Sequence, residues 1–271
     1  MTSISPEEFV ATLGRANAPL VLDVRREARF RESERILPCA QRCAPEQVAA
    51  FAASRRPSEA LVYCVYGHEV SSQAAAQLRA AGWHARFLEG GIEALIERGL
   101  PTLRKCPELG VTGERPSRWI TRERPKIDRI ACPWLVQRFI DPAAEFIYVP
   151  TDQVFDEAQR LQAIAYDIPG APISHDGELC SFDTLLRAFD LHDPALLALA
   201  HIVRGADTDR PDLAPPSAGL LAISLGFSRL HVDDHAMLAA VLPVYDALYA
   251  WCRSAQSETH GWNPDLMKAK P

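Results

Sequence analysis

The chain has 271 residues, a formal net charge of −6 at pH 7 and 48% apolar residues. That length predicts two domains, each with its own core; no apolar run approaches the ~18 residues that would cross a bilayer, and the opening MTSISPEEF carries no secretion signal. The acidic balance argues against nonspecific nucleic-acid binding, and seven scattered cysteines without a paired zinc spacing predict a reduced, cytoplasmic protein with no membrane or nucleic-acid partner.

In chain order, Ser5-Pro6-Glu7-Glu8 predicts a capped helix running to Leu13. Residues 20–24 read as a buried strand, 45–54 as a helix and 60–65 as a second strand. A helix over 68–81 stopped by Gly82, a strand over 85–88 and a helix over 91–98 follow. Buried strands alternating with helices predict an α/β fold, a parallel sheet covered on both faces with its site at the carboxyl ends of the strands. The predicted organisation is a first domain over 1–104, a Pro-, Gly- and charge-rich linker over 105–117, a mostly helical domain over 118–254 and a loosely held tail over 255–271.

Residues 61–76, LVYCVYGHEVSSQAAA, carry the clearest chemical signal. A strand ends in Cys64, a Gly-containing loop turns, and a helix begins at once. A thiol there faces backbone N–H groups without intrahelical partners, which together with the helix dipole favour a negative sulfur and lower its pKa. The alternative is a small apolar residue at a strand end.

Other residues fall in order around that loop. Asp23-Val24-Arg25 ends the first core strand, Leu37-Pro38-Cys39-Ala40 stands in the place of Ile-Pro-Gly-Ala, and Gly67 lies three residues after Cys64. Leu88-Glu89-Gly90-Gly91 and Gly99-Leu100-Pro101 complete the set. Over residues 3–104 the chain resembles the rhodanese-homology (sulfurtransferase) domain. The resemblance implies a rhodanese-like fold and a persulfide carried on Cys64. Its loop, Val65, Tyr66, Gly67, His68, Glu69 and Val70, would bind a small sulfane-sulfur donor, a thiol would accept the sulfur, and no cofactor is required. Asp23 and Arg25 read as residues that brace the loop, or as a structural ion pair under the sheet.

The loop departs from the family pattern. Single-domain members carry Arg and then Ser or Thr at the fifth and sixth positions after the cysteine, where this chain has Glu69 and Val70. A carboxylate facing a bound dianion is repulsive by up to about 4 kcal/mol at ~4 Å and an effective dielectric near 20, so neutral or thiol-bound persulfides are expected as donors ahead of thiosulfate. Alternatively Glu69 is a first-turn acid that stabilises its helix. Phosphatases of this fold need an arginine six residues after the cysteine; Val70 stands there and offers no bidentate clamp.

In the second region Pro125 fits the first position of a helix whose apolar stripe is Ile127, Ile130, Ala131, Trp134, Leu135 and Phe139. Arg122, Lys126 and Arg129 gather at its start and read as an oxyanion site, or as a solvated face partly neutralised by Glu123 and Asp128. Short strands are predicted over 146–150 and 163–168 around a helix over 152–161 capped by Thr151. Asp193-Pro194 opens a further helix, and a long one, with Pro243 as a possible kink, spans 234–253.

Arg118-Trp119, Thr121-Arg122, Lys126-Ile127-Asp128-Arg129-Ile130-Ala131, Pro133-Trp134-Leu135, His175 with Cys180-Ser181-Phe182, Arg204-Gly205-Ala206-Asp207-Thr208 and Tyr245-Asp246-Ala247-Leu248-Tyr249 are similar to the C-terminal domain of ChrB-type chromate-resistance proteins. This resemblance implies a bacterial chromate-resistance setting, with chromate or another oxyanion as a partner. His175, Cys180 and Asp207 are candidate metal ligands, with Glu178, Asp209 and His235 further candidates; a surface turn and capping aspartates explain the same residues. The expected function is a sulfurtransferase that forms a persulfide on Cys64 and passes sulfur to a thiol. The alternative is a non-catalytic redox or oxyanion sensor.

Overall fold

The computed structural model describes residues 2–258 and residue 261. Its first sheet has five strands in the spatial order Ser3–Ile4, His84–Leu88, Glu59–Tyr63, Leu20–Asp23 and Ala40–Arg42, and every pairing is parallel. Near-continuous apolar runs such as Leu61-Val62-Tyr63 fit strands covered on both faces. On one face Leu22, Val24, Val62, Cys64 and Ala85 pack with Val48, Ala74 and Leu78, which lie on the helices Val48–Ser54 and Glu69–Ala80.

The other face is not private to this half. Val21, Leu61, Tyr63 and Leu88 belong to one continuous apolar cluster that runs through Phe9 and Ile92 to Trp119, Trp134, Phe139, Tyr245 and Tyr249. Each half keeps an apolar cluster of its own, Ile120, Val154, Ala165 and Ile168 in the second, and the two halves also share this larger one. Close packing fixes the seam. The Cys39 N–H donates to the Phe139 carbonyl at 3.0 Å, Arg35 pairs with Asp190 at 2.7 Å, and a Cβ on Gly14 would sit 2.4 Å from the Tyr249 ring. The connecting residues 105–117 take part, with Cys106 and Val111 buried and bridged to each other.

The second half is built on a small parallel sheet, ordered Ile164–Ala165, Arg118–Arg122 and Glu145–Val149. Around it lie the helices Asp128–Leu135, Val154–Leu161, Ser181–Ala188, Pro194–Asp207, Ser217–Leu230 and Asp234–Ala250. The last of these runs through Pro243 into a π turn, Trp251–Ala255. The helix expected from Pro125 starts only at Asp128 because Arg124 (φ 56°) and Ile127 (φ 35°) leave the helical region. Thr151 lies in a 3-10 turn before the helix that begins at Val154 and does not cap it. Asp193 caps as expected, accepting from the Ala195 and Leu196 N–H groups at 2.9 and 3.0 Å. Among the described residues no helix is long and apolar enough to cross a membrane. Of the tail expected over 255–271, residues 259–260 and 262–271 lie outside the described residues.

Candidate functional site

Cys64 sits one residue beyond the Glu59–Tyr63 strand and five before the Glu69–Ala80 helix, and the glycines of two crossing turns hold the loop in place. Gly67 has φ +69°, and a Cβ there would lie 2.4 Å from the Leu88 carbonyl and 2.6 Å from the Gly90 nitrogen. Gly91 presses the same way on the Val65 and Cys64 carbonyls, at 2.3 and 2.5 Å. Only a residue without Cβ at a positive φ allows that approach. The Cys64 and Val65 carbonyls accept from the Ile92 and Glu93 N–H groups, both at 3.1 Å. By contrast, no carbonyl or side chain among the described residues accepts from the N–H groups of Val65, Tyr66, Gly67, His68, Glu69 or Val70. A row of unpaired donors at a helix start is an anion cradle.

Cys64 is 6% exposed, and its Sγ lies 3.2 Å from the hydroxyl of the fully buried Ser71. Ser71 was not singled out from the sequence. Its only signal is its place on the first turn of the helix, seven residues after Cys64. Tyr66, His68 and Glu69 are exposed, Val65 and Val70 half-buried. The Glu69 carboxylate accepts from Gln73 Nε2 at 2.9 Å along the outer face of the helix. Glu69 is therefore the helix-stabilising acid of the two readings, and its repulsion of a bound dianion falls towards the ~1 kcal/mol of charges in water.

Asp23 and Arg25 lie beneath the loop and are each 1% exposed. Arg25 Nη2 meets Asp23 Oδ2 at 2.6 Å, Arg25 Nε reaches Oδ1 at 3.0 Å, and the Tyr63 hydroxyl donates to Oδ2 at 2.7 Å. That hydroxyl in turn accepts from the Leu37 N–H at 3.2 Å. The pair is enclosed structure that ties the first strand to the strand of the cysteine. Elsewhere burial pushes thiols up, Cys39 to about 12 and Cys43, Cys106 and Cys252 to about 11; Cys132 and Cys180 rise further for the same cause. Burial thus disfavours the thiolate form at all six.

The second half concentrates charge at one place. Arg122 and Arg129 do not form an open anion site with Lys126. Both turn to Asp167, at 3.7 and 3.3 Å, so a carboxylate of the chain occupies the position an oxyanion was expected to take. Beside it His175 Nε2 lies 3.1 Å from Asp207, 3.5 Å from Asp167 and 3.6 Å from Asp128. The donor atoms of Asp128, His175 and Asp207 all fall within 4.8 Å of one another. Burial, then the charges of Asp207 and Asp167, pushes the Asp128 carboxyl well above its ordinary value, while the hydrogen bond to Asp167 leads in raising His175 to about 9.

Cys180 is corrected as a ligand. Its Sγ points to Asp183 Oδ2 at 3.3 Å, at the start of the Ser181–Ala188 helix, and Asp183 is held by Arg204 at 2.7 Å. Glu178 pairs with Arg210 and His235 packs on Tyr148. Asp128 and Asp167 are the residues that sequence reasoning missed as members of this cluster; Asp128 read there only as a neutraliser of nearby arginines.

A parallel α/β sheet whose central strand delivers a cysteine into a helix-start loop defines a rhodanese-like domain. Residues 5–98 match the rhodanese-like domain family and residues 119–252 match the family described as ChrB, C-terminal domain. The chain joins a rhodanese-like domain to a ChrB C-terminal domain. It is similar to Protein ChrB of Cupriavidus metallidurans, with 31% identity over 167 residues, covering 60% of this chain and 50% of that protein. The chain thus spans half the length of that relative. Among solved structures it is similar to a rhodanese-related protein of Thermoplasma volcanium, with 22% identity, 38% of this chain, 97% of that one and a TM-score of 0.33. It is also similar to the thiosulfate sulfurtransferase of Pseudomonas aeruginosa, with 25% identity, 37% of this chain, 19% of that one and a TM-score of 0.32.

Proposed function

We propose that the rhodanese-like half is a sulfurtransferase working through Cys64, in a chromate-resistance setting suggested by the ChrB-type half. The observation that carries this reading is the row of unclaimed N–H groups from Val65 to Val70 around a thiol that contacts Ser71 at 3.2 Å. The thiolate attacks a sulfane sulfur. A new S–S bond forms on Cys64, the bond from that sulfur to the rest of the donor breaks, and the donor fragment leaves with the electron pair. The loop N–H groups and the Ser71 hydroxyl stabilise the negative outer sulfur of the persulfide. An acceptor thiolate then attacks that outer sulfur and returns Cys64 as a thiolate. The second reading, a thiol that holds sulfur or senses oxidants without turnover, draws on Val70 and on the 6% exposure of Cys64.

One experiment separates these readings. The full chain is treated with polysulfide, glutathione persulfide or thiosulfate, the Cys64 peptide is weighed for one added sulfur, and cyanide-dependent thiocyanate is measured in parallel. The expected result is a loaded Cys64 and catalytic thiocyanate release, both absent in Cys64→Ser. Loading without turnover supports the sensor; equal thiocyanate from the two proteins removes the sulfurtransferase reading.

A further inference from the structure

The charged cluster of the second half gathers three carboxylates and leaves one buried carboxylate oxygen without a donor, which points to a missing ion. Three separated segments meet there: Asp128 opens one helix, Asp207 closes another, and Asp167 and His175 both come from the stretch after the Ile164–Ala165 strand. Arg122 and Arg129 both serve Asp167. His175 is the one basic group paired with Asp128 and Asp207 among the described residues, and its side chain is 42% exposed. Asp128 is fully buried. Its Oδ2 accepts from the Ser181 and Phe182 N–H groups at 2.5 and 3.3 Å, but its Oδ1 has no hydrogen-bond partner. A buried carboxylate oxygen without a partner is costly.

We propose that Asp128, His175 and Asp207 bind one divalent transition-metal cation of the zinc or cobalt type. Two carboxylates and a neutral imidazole balance a dication in charge, and an N,O,O donor set suits borderline first-row ions. Asp167, anchored by the Ser181 hydroxyl at 2.6 Å, lies 3.5 Å from the same His175 Nε2 that faces Asp128 and Asp207, so it borders the site as a further carboxylate on the ligating side of the ring. The half-exposed imidazole gives the ion a way in from solvent. This inference is independent of Cys64, since none of its residues lies in the sulfur-transfer loop.

The test uses the full chain, freed of metal by a chelator and titrated with Co²⁺ and Zn²⁺ in calorimetry and visible absorption, with Mg²⁺ as the hard-ion comparison. One equivalent of Co²⁺ or Zn²⁺ is expected to bind, tighter than Mg²⁺ because of the imidazole. His175→Ala and Asp207→Asn should each weaken it by about tenfold or more. Both positions are only partly buried, so the variants should fold, which circular dichroism checks. A second readout needs no variant: Zn²⁺ should slow carbethoxylation of His175 by diethyl pyrocarbonate, followed by mass spectrometry. Absence of saturable binding, equal affinity for Mg²⁺, binding unchanged in a folded variant, or unprotected His175 overturns the proposal.

Discussion

Each half of this fold holds a group of buried charge, and the two are built on opposite terms. Under the cysteine loop, Asp23 and Arg25 are both enclosed, and the carboxylate accepts from Arg25 on both oxygens and from Tyr63 on one. Its backbone carbonyl is also used, by Arg42 at 2.9 Å and the Cys43 N–H at 3.0 Å. In the second half, Asp128 is equally enclosed but faces Asp207 and Asp167 and leaves one oxygen without a donor. A closed hydrogen-bond account marks a structural centre. An open one, with like charges gathered around it, marks a place that trades stability for a ligand. The two centres should therefore answer mutation with opposite signs.

The largest effect is expected under the loop. Arg25→Met strands Asp23 as an unpaired buried charge and should cost about 3–5 kcal/mol in urea unfolding. A loss under 1 kcal/mol would mean the pair is not the closed centre described. Gly67→Ala comes next. It forces an alanine to φ +69° with its Cβ 2.4 Å from a backbone carbonyl, and strain with overpacking should cost about 2–4 kcal/mol. Persulfide loading on Cys64 should fall with it. Retained loading with unchanged stability would show that the loop does not need this shape. Asp128→Asn breaks the comparison if it behaves like Arg25→Met. In metal-free protein it relieves like-charge repulsion and keeps an acceptor for Ser181, so stability should hold or rise by up to about 2 kcal/mol.

The two centres were unequally legible for the same physical reason. The Cys64 site is one continuous loop, so strand, glycine, thiol and helix start are neighbours in sequence and the order alone points to the cradle. What escaped was Ser71, because a serine on an Ala-rich helix has no pattern of its own. The strand Ala40–Arg42 was missed because three residues with Gln and Arg carry no strand signature. The cluster in the second half joins residues up to 79 positions apart, Asp128 and Asp207 among them, and no local periodicity links those residues. Cys180 looked like a ligand by being near His175 in sequence, yet the start of the Ser181–Ala188 helix turns its thiol to Asp183. The shared core was hidden likewise: Gly14 meets Tyr249 and Cys39 meets Phe139 only once both halves have folded.

Substitution at Glu69 sharpens the contrast from the catalytic side. Its carboxylate is exposed and paired with Gln73, so Glu69→Arg, a change of two unit charges, should raise kcat/KM for thiosulfate by no more than about thirtyfold, since each exposed charge at ~4 Å is worth about 1 kcal/mol. A thousandfold gain would place the side chain against the donor after all.

The smallest expected effect concerns a cation beside the closed centre. Lys105 Nζ lies 3.6 Å from the Phe30 ring centroid, and Arg25, Arg31 and Arg42 also lie over that ring. Burial and then the Arg25 charge push Lys105 down to about 8, against attraction from Asp23 and Glu114. The folded chain thus holds this proton less tightly than the unfolded chain does. Below pH 8 both states keep it and folding carries the full penalty; between pH 8 and the ordinary lysine value of 10.5 the folded state sheds it first, and stability rises with pH across that window. Lys105→Met should be more stable than the parent at pH 7 by at most about 1 kcal/mol, because the site is half open to solvent, and the advantage should fade towards pH 10. Urea unfolding of both proteins at the two pH values isolates this group, since every other titration is common to them. An advantage that grows with pH would show that the ring and Asp23 hold the ammonium more strongly than burial penalises it, and the centre under the loop would then be a five-membered charge network rather than a closed pair with a surplus cation at its edge.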